Sequence, residues 1–158
     1  MSLFKKKYLF TLLIGVFLVG CSFQPAWVAK NQKAEILWER VDFIEAKTSN
    51  EFRLNRYLAS RLGKATDAEL LLKYELFTET KRSAFSFDGK AFRIRIHGEV
   101  KFSLIQNSEN TILLTSSVKD SAAYSDAILA VTDEASERDA YVRLMVLLGD
   151  RIIDKLLS

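Results

Sequence analysis

The chain has 158 residues, 49% hydrophobic and 27% charged, the composition of a folded domain with room for one core but not two. Its net charge of +3 comes from Lys5, Lys6 and Lys7, because the first twenty residues hold no acid and the remainder carries 20 basic against 20 acidic residues. That balance argues against a nucleic-acid binder, which keeps an overall basic excess, and a single cysteine excludes an intrachain disulfide.

Met1 to Tyr8 is basic, and Leu9 to Val19 is almost wholly apolar. As a helix, Tyr8 to Gly20 would be about 20 Å long at ~1.5 Å per residue, short of the roughly 30 Å needed to span a bilayer. This length and these flanks predict a secretory signal rather than a membrane anchor. Leu18-Val19-Gly20-Cys21 resembles the bacterial lipobox, in which lipid is attached to the cysteine and the chain is cut just before it. Residues 1–20 are therefore expected to be a cleaved lipoprotein signal peptide and residues 21–33 a lipidated tether. Residues 34–158 are read as one domain. The covalent N-acyl diacylglycerol on Cys21 supplies the two or more chains that stable anchoring requires; no other cofactor is expected. Ser22, where an Asp would retain a lipoprotein at the inner membrane, implies the periplasmic side of the outer membrane. The tether holds the single proline, Pro25, and Trp27, for which a membrane interface and the domain surface are equally open.

Glu35 to Ile44 is strand-like, but its alternation slips from Ile36 and Trp38 to Val41 and Phe43. The strand either ends near Arg40 or carries a bulge there. Thr48 or Ser49 is a candidate N-cap for a helix whose stripe is Leu54, Tyr57, Leu58 and Leu62 and whose stop is Gly63. Arg53, Arg56 and Arg61 on that helix read as its solvated face. Leu70 to Thr80 is a second strand, with Leu70, Leu72, Tyr74 and Leu76 on its dry side.

Ala91 to Leu104 is the strand around which the rest is organised. Phe92, Ile94, Ile96, Val100, Phe102 and Leu104 fall on even positions, and Arg93, Arg95, His97, Glu99, Lys101 and Ser103 on odd ones. Successive strand side chains point to opposite faces, so one face is dry and the other wet and mostly basic. Burying the even face stabilises by roughly 1.5–3 kcal/mol per large side chain, and it needs a covering layer. Asp88-Gly89 signals a hairpin back to the preceding strand. A strict two-residue loop there would set wet residues opposite dry ones. An odd-length loop or one bulge between 80 and 90 is predicted to restore even opposite even, and its position decides whether Phe85 and Phe87 join the core. Thr111 to Val118 is the next strand, with Ile112, Leu114 and Val118 dry. A loop around Asn107-Ser108-Glu109 would pair Leu104 with Ile112 and Phe102 with Leu114.

From Thr132 or Asp133 a helix runs to Leu157, with Asp133, Glu134 and Glu137 early and Arg151 and Lys155 late, as its dipole favours. Its expected stripe is Ala135, Val142, Met145, Leu148, Ile152 and Leu156, joined by Leu144 and Ile153. Residues 121–131 read as a connection or an early helical turn. The order β-α-β-β-β-α predicts an α+β fold, a two-layer sandwich with two helices on one face of a roughly four-stranded mixed sheet. The other face of the sheet stays polar.

His97 is the single histidine, and no second His or Cys exists to build a zinc site. Neither a nucleophile turn nor a phosphate-cradling Gly-rich loop is present, so no enzymatic activity is expected. A periplasmic hydrolase using His97 is the distant alternative. The notable chemistry is a basic cluster, Lys81, Arg82, Lys90, Arg93, Arg95 and Lys101, with Phe85 and Phe87 between. It reads as a solvated sheet face, as a site for a phosphorylated amphiphile with guanidinium forks on phosphate, or as a surface meeting an acidic protein.

With the lipobox, the strand–helix–meander–helix order and the C-terminal run A-S-E-R-D-A-Y…L-x-D-R-I-I-x-K-L, the chain resembles the LPS-assembly lipoprotein (LptE) family. The family's closing helix pattern matches here at Ala135, Arg138, Asp139, Leu144, Ile152 and Leu156. Departures are Ser-Phe-Gln-Pro after the cysteine, where Gly-Phe-x-Pro is usual, and Asp139 where Ala is common. The resemblance implies a lipoprotein that plugs and supports a large outer-membrane β-barrel and helps deliver lipopolysaccharide to the outer leaflet, without catalysis. Arg82, Lys90, Arg93, Arg95 and Lys101 are then the candidate residues for lipopolysaccharide or partner binding. The alternative is an auxiliary outer-membrane lipoprotein of another envelope lipid-transport machine, such as an ABC transporter.

Overall fold

The computed structural model describes residues 36–85, 91–125 and 130–158, with side chains described outside 83–85, 91–92 and 130–133. In order along the chain these form β1 (Val41–Phe43), α1 (Ser49–Leu62), β2 (Leu70–Phe85), β3 (Ala91–Gln106), β4 (Thr111–Tyr124) and α2 (Ala130–Leu156). The strands lie in the order β1-β2-β3-β4. β1 runs parallel to β2, and the other pairs are antiparallel. Both helices pack on one face of this mixed sheet, as the sequence predicts.

The alternation of β3 decides which face. Ile96, Val100 and Phe102 are buried and share one core with Leu72 and Tyr74 of β2 and Val118 and Ala122 of β4. Leu54, Leu58 and Leu62 from α1 and Ala140, Leu144, Leu148, Ile152 and Leu156 from α2 close it. The α2 series is an unbroken four-residue repeat, which keeps one side of a 3.6-residue helix on the sheet. Ala135 and Val142 fall off that line and are exposed, correcting the expected stripe.

Thr48 is the N-cap of α1. Its Oγ1 accepts from the Glu51 amide at 3.2 Å, and the Glu51 carboxylate accepts from the Thr48 and Lys47 amides at 3.1 and 2.6 Å. At the other end Gly63 takes φ +79°, and the Leu62 carbonyl accepts from the Glu39 amide at 2.8 Å. That bond explains why Glu35 to Ile44 is not the strand its composition suggests. Ile36 and Leu37 are helical, and residues 38–40 form a turn with Glu39 at φ +57°. The strand is confined to Val41–Phe43. The slipped alternation was a four-residue spacing, Leu37 to Val41, both buried.

Two hydroxyls tie the elements together, one between sheet and helix and one between the helices. Tyr74 donates to Asn55 Oδ1 at 2.6 Å, with the Glu51 carbonyl at 3.3 Å, and Asn55 donates to the Ile44 carbonyl at 2.7 Å. Tyr57 of α1 donates to Asp150 Oδ1 of α2 at 2.6 Å.

Register is where the long hairpins are decided. From Leu70 to Arg82, β2 pairs even with even across β3. A shift between Arg82 and Ala84 is reversed between Ala84 and Phe85, so Phe85 lies opposite Ala91 in the original register and an odd number of residues joins the two strands. Of the two expected ways to restore parity, the odd-length connection is the one found, and the local irregularity also lies in the predicted interval. The β3–β4 register differs from expectation. Leu104 faces Leu114, Phe102 faces Ser116, and a shift after Leu104 sets Ile105 opposite Ile112. Asn107 causes the difference: its amide and side chain donate to the Glu69 and Ala68 carbonyls at 2.9 and 2.7 Å. The chain therefore turns over residues 107–110, with Asn110 at φ +51°. Ile112 consequently leaves the dry side and is 60% exposed. β4 also runs on to Tyr124, so residues 121–124, read as connection or early helix, are strand.

Candidate functional site

Helices cover one face of the sheet, and the other face presents the odd residues of β2 and β3 and their β4 partners in rungs set by the register. Leu71, Ile105 and Ile112 form an apolar rung at one end. Next come Lys73, Ser103 and Thr115, then Glu75, Lys101 and Ser117, then Phe77, Glu99 and Lys119. Glu79, His97 and Ser121 follow, then Lys81, Arg95 and Ala123, and Arg93 stands one rung further. The face is graded from apolar, through mixed charge, to cationic.

The middle rungs are knitted together. Lys119 Nζ lies 3.2 Å from Glu99 Oε2, and Lys81 Nζ lies 2.9 Å from Glu79 Oε2. Lys101 Nζ stands 5.5 Å from the centre of the Phe77 ring, a cation–π contact, and Ser103 and Thr115 hydroxyls are 3.1 Å apart. Such exposed pairs contribute little to stability, on the order of 0–1 kcal/mol each. They leave the surface electrically balanced here. A shallow hollow of about 540 Å³ lies over this region, lined by Phe77, Glu79, His97, Glu99, Lys119 and Ser121 among others.

At the hairpin end the balance fails. Lys81 and Arg95 are directly opposite across β2 and β3, and Arg93 is on the same face. Arg95 is exposed and has no ion-pair partner among the described residues. Like charges side by side on a strand pair repel, and the β2–β3 backbone ladder holds Lys81 and Arg95 in register despite it. The exposed Arg95 guanidinium, with Arg93 on the same face and the Glu79-paired Lys81 opposite, suits bidentate contact to phosphate or carboxylate.

The candidate residues divide accordingly. Arg93 and Arg95 come together and are joined by Lys81. Lys101 shares their face but lies six residues along β3 from Arg95, about 20 Å at ~3.3 Å per residue, and it is engaged with Phe77. Arg82 is opposite Ile94 and therefore on the helix side of the sheet, beyond the helices' cover and exposed. Lys90, Phe87 and Cys21 with its tether lie outside the described residues, as does the Phe85 side chain. Phe77, not singled out from sequence, is 51% exposed on the polar face; its odd number in β2 was the available signal.

No protein-family model matches the chain, and no curated protein matches it in sequence. Solved structures do match in fold. A candidate lipoprotein of Caulobacter crescentus CB15 superposes with a TM-score of 0.67 at 17% identity, covering 81% of this chain and 95% of that one. Rare lipoprotein B of Shewanella oneidensis gives 0.56 at 12% identity, over 73% of this chain and 90% of that one. A minor lipoprotein of Acinetobacter baumannii gives 0.56 at 17%, over 77% and 92%. The fold of this chain is thus one found among bacterial lipoproteins, rare lipoprotein B included.

Proposed function

We propose that the protein is an outer-membrane lipoprotein, anchored through Cys21, that plugs and supports a β-barrel translocon and assists assembly of lipopolysaccharide into the outer leaflet. The cationic end of the open sheet face, around Lys81, Arg93 and Arg95, is the contact for the anionic glycolipid. No catalytic step is invoked. Three things support the reading: the lipobox-like Leu18-Val19-Gly20-Cys21, a fold found among bacterial lipoproteins, and a sheet that buries one face and presents cations on the other. The last carries it. A rigid ladder with exposed Arg95 opposite Lys81 holds positive charge where an unpaired strand would splay it apart.

Affinity purification of the acylated full-length chain from detergent-solubilised outer membranes tests this. A stable one-to-one complex with a large β-barrel is expected. Recovery with inner-membrane transporter subunits instead would transfer the protein to another lipid-transport machine.

A further inference from the structure

A second cationic hollow lies away from the open sheet face, in the helical layer. Lys47 from the β1–α1 connection, Arg53 and Arg56 from α1, and Arg138 from α2 line a cavity of about 480 Å³, with Phe52 beside them. No carboxylate is among the lining residues. Some cations elsewhere are paired with carboxylates, as in Arg40–Glu69, Lys119–Glu99 and Arg151–Asp120. Here none of the four cations has an ion pair among the described residues; Arg53 donates to the neutral Asn50 Oδ1 at 2.7 Å. The nearby Glu51 carboxylate accepts from the Lys47 and Thr48 amides and makes no ion pair with any of the four cations.

From this juxtaposition we infer a second anion-binding site, for a phosphate group, assembled by Lys47, Arg53, Arg56 and Arg138. Positive charge converging from three segments is repulsive until an anion fills the space between. Guanidinium groups on separate helices offer a dianion several donors at once, the geometry that favours phosphate over a lone carboxylate. Phe52, 62% exposed at the rim, offers an apolar contact to whatever carries the phosphate. The phosphate therefore belongs either to a lipid headgroup or to a free anion. The site does not depend on the reading of the sheet face.

Calorimetric titration of the full acylated chain in neutral-detergent micelles distinguishes these. Inorganic pyrophosphate is expected to bind saturably, and Arg53→Ala with Arg56→Ala to weaken it at least about tenfold at constant ionic strength. Arg61→Ala, exposed on the same helix but absent from the hollow, and Arg95→Glu on the sheet are expected to leave it unchanged. Dihexanoyl phosphatidic acid binding more tightly than pyrophosphate, with the gain lost in Phe52→Ala, assigns a lipid headgroup. Equal binding of the two assigns a free phosphate. Absence of saturable binding to the native chain, or a folded double variant that binds as well as native, overturns the site.

Discussion

Gly149 of α2 lies flat against the ring of Tyr57 in α1: a Cβ at 149 would overlap Tyr57 Cδ1 and stand 2.9 Å from Cε1. The next residue, Asp150, accepts the hydrogen bond from the same tyrosine. A glycine in a helix interior costs about 1 kcal/mol relative to alanine; here it makes room for the ring that joins the two helices. Gly149→Ala is therefore expected to destabilise, because overpacking costs roughly 1–3 kcal/mol and outweighs the gain in helix propensity. Urea unfolding of Gly149→Ala, Tyr57→Ala and the double variant checks this. The double variant should be more stable than the sum of the single effects predicts.

Tyr74 joins the sheet to α1 through Asn55. Burial, then the charge of Glu51, raises its pKa above the ordinary tyrosine value. Burial and the bond to Asp150 raise that of Tyr57. A group whose pKa is raised on folding contributes stability that is complete below its unfolded pKa, near 10, and is lost as pH climbs through the folded value. Unfolding midpoints should thus fall above about pH 10. Tyr74→Phe should start roughly 1–2 kcal/mol less stable, because Asn55 loses its donor, and should lose less between pH 9 and 11.

Thr48→Ala removes one half of the capping box and is expected to cost about 1 kcal/mol. Thr48→Asp, which keeps an acceptor for the Glu51 amide, should restore most of it. Thermal melts of the two variants read the difference.

The parts of this fold legible in the sequence are those governed by local periodicity. The even positions of β3 gave the dry face, and parity alone required an odd-length connection or one bulge between 80 and 90; Phe85 opposite Ala91 leaves the odd-length connection. What escaped depends on partners distant in sequence. Glu39 is turned by the Leu62 carbonyl, so an apparent strand is a turn. Asn107 is held by Ala68 and Glu69, which moves the β3–β4 register by two residues and exposes Ile112. The site behaved likewise: Arg93 and Arg95 share a face because they are two apart in one strand. The register sets Lys81 beside them and Arg82 on the reverse. The meeting of Lys47 with Arg138 has no sequence signal, since the two lie on segments brought together by helix packing.

In the function proposed above, the cationic end of the uncovered sheet face engages the phosphorylated glycolipid. The most direct measurement is lipopolysaccharide binding by purified acylated protein carrying Arg93→Glu with Arg95→Glu, compared with the native chain at equal salt. The two positions lie on the polar face, away from the core, so the variant should melt near the native temperature and bind lipopolysaccharide at least about tenfold more weakly, as loss of charge-assisted contacts implies. A folded variant that binds lipopolysaccharide as tightly as the native chain would contradict it.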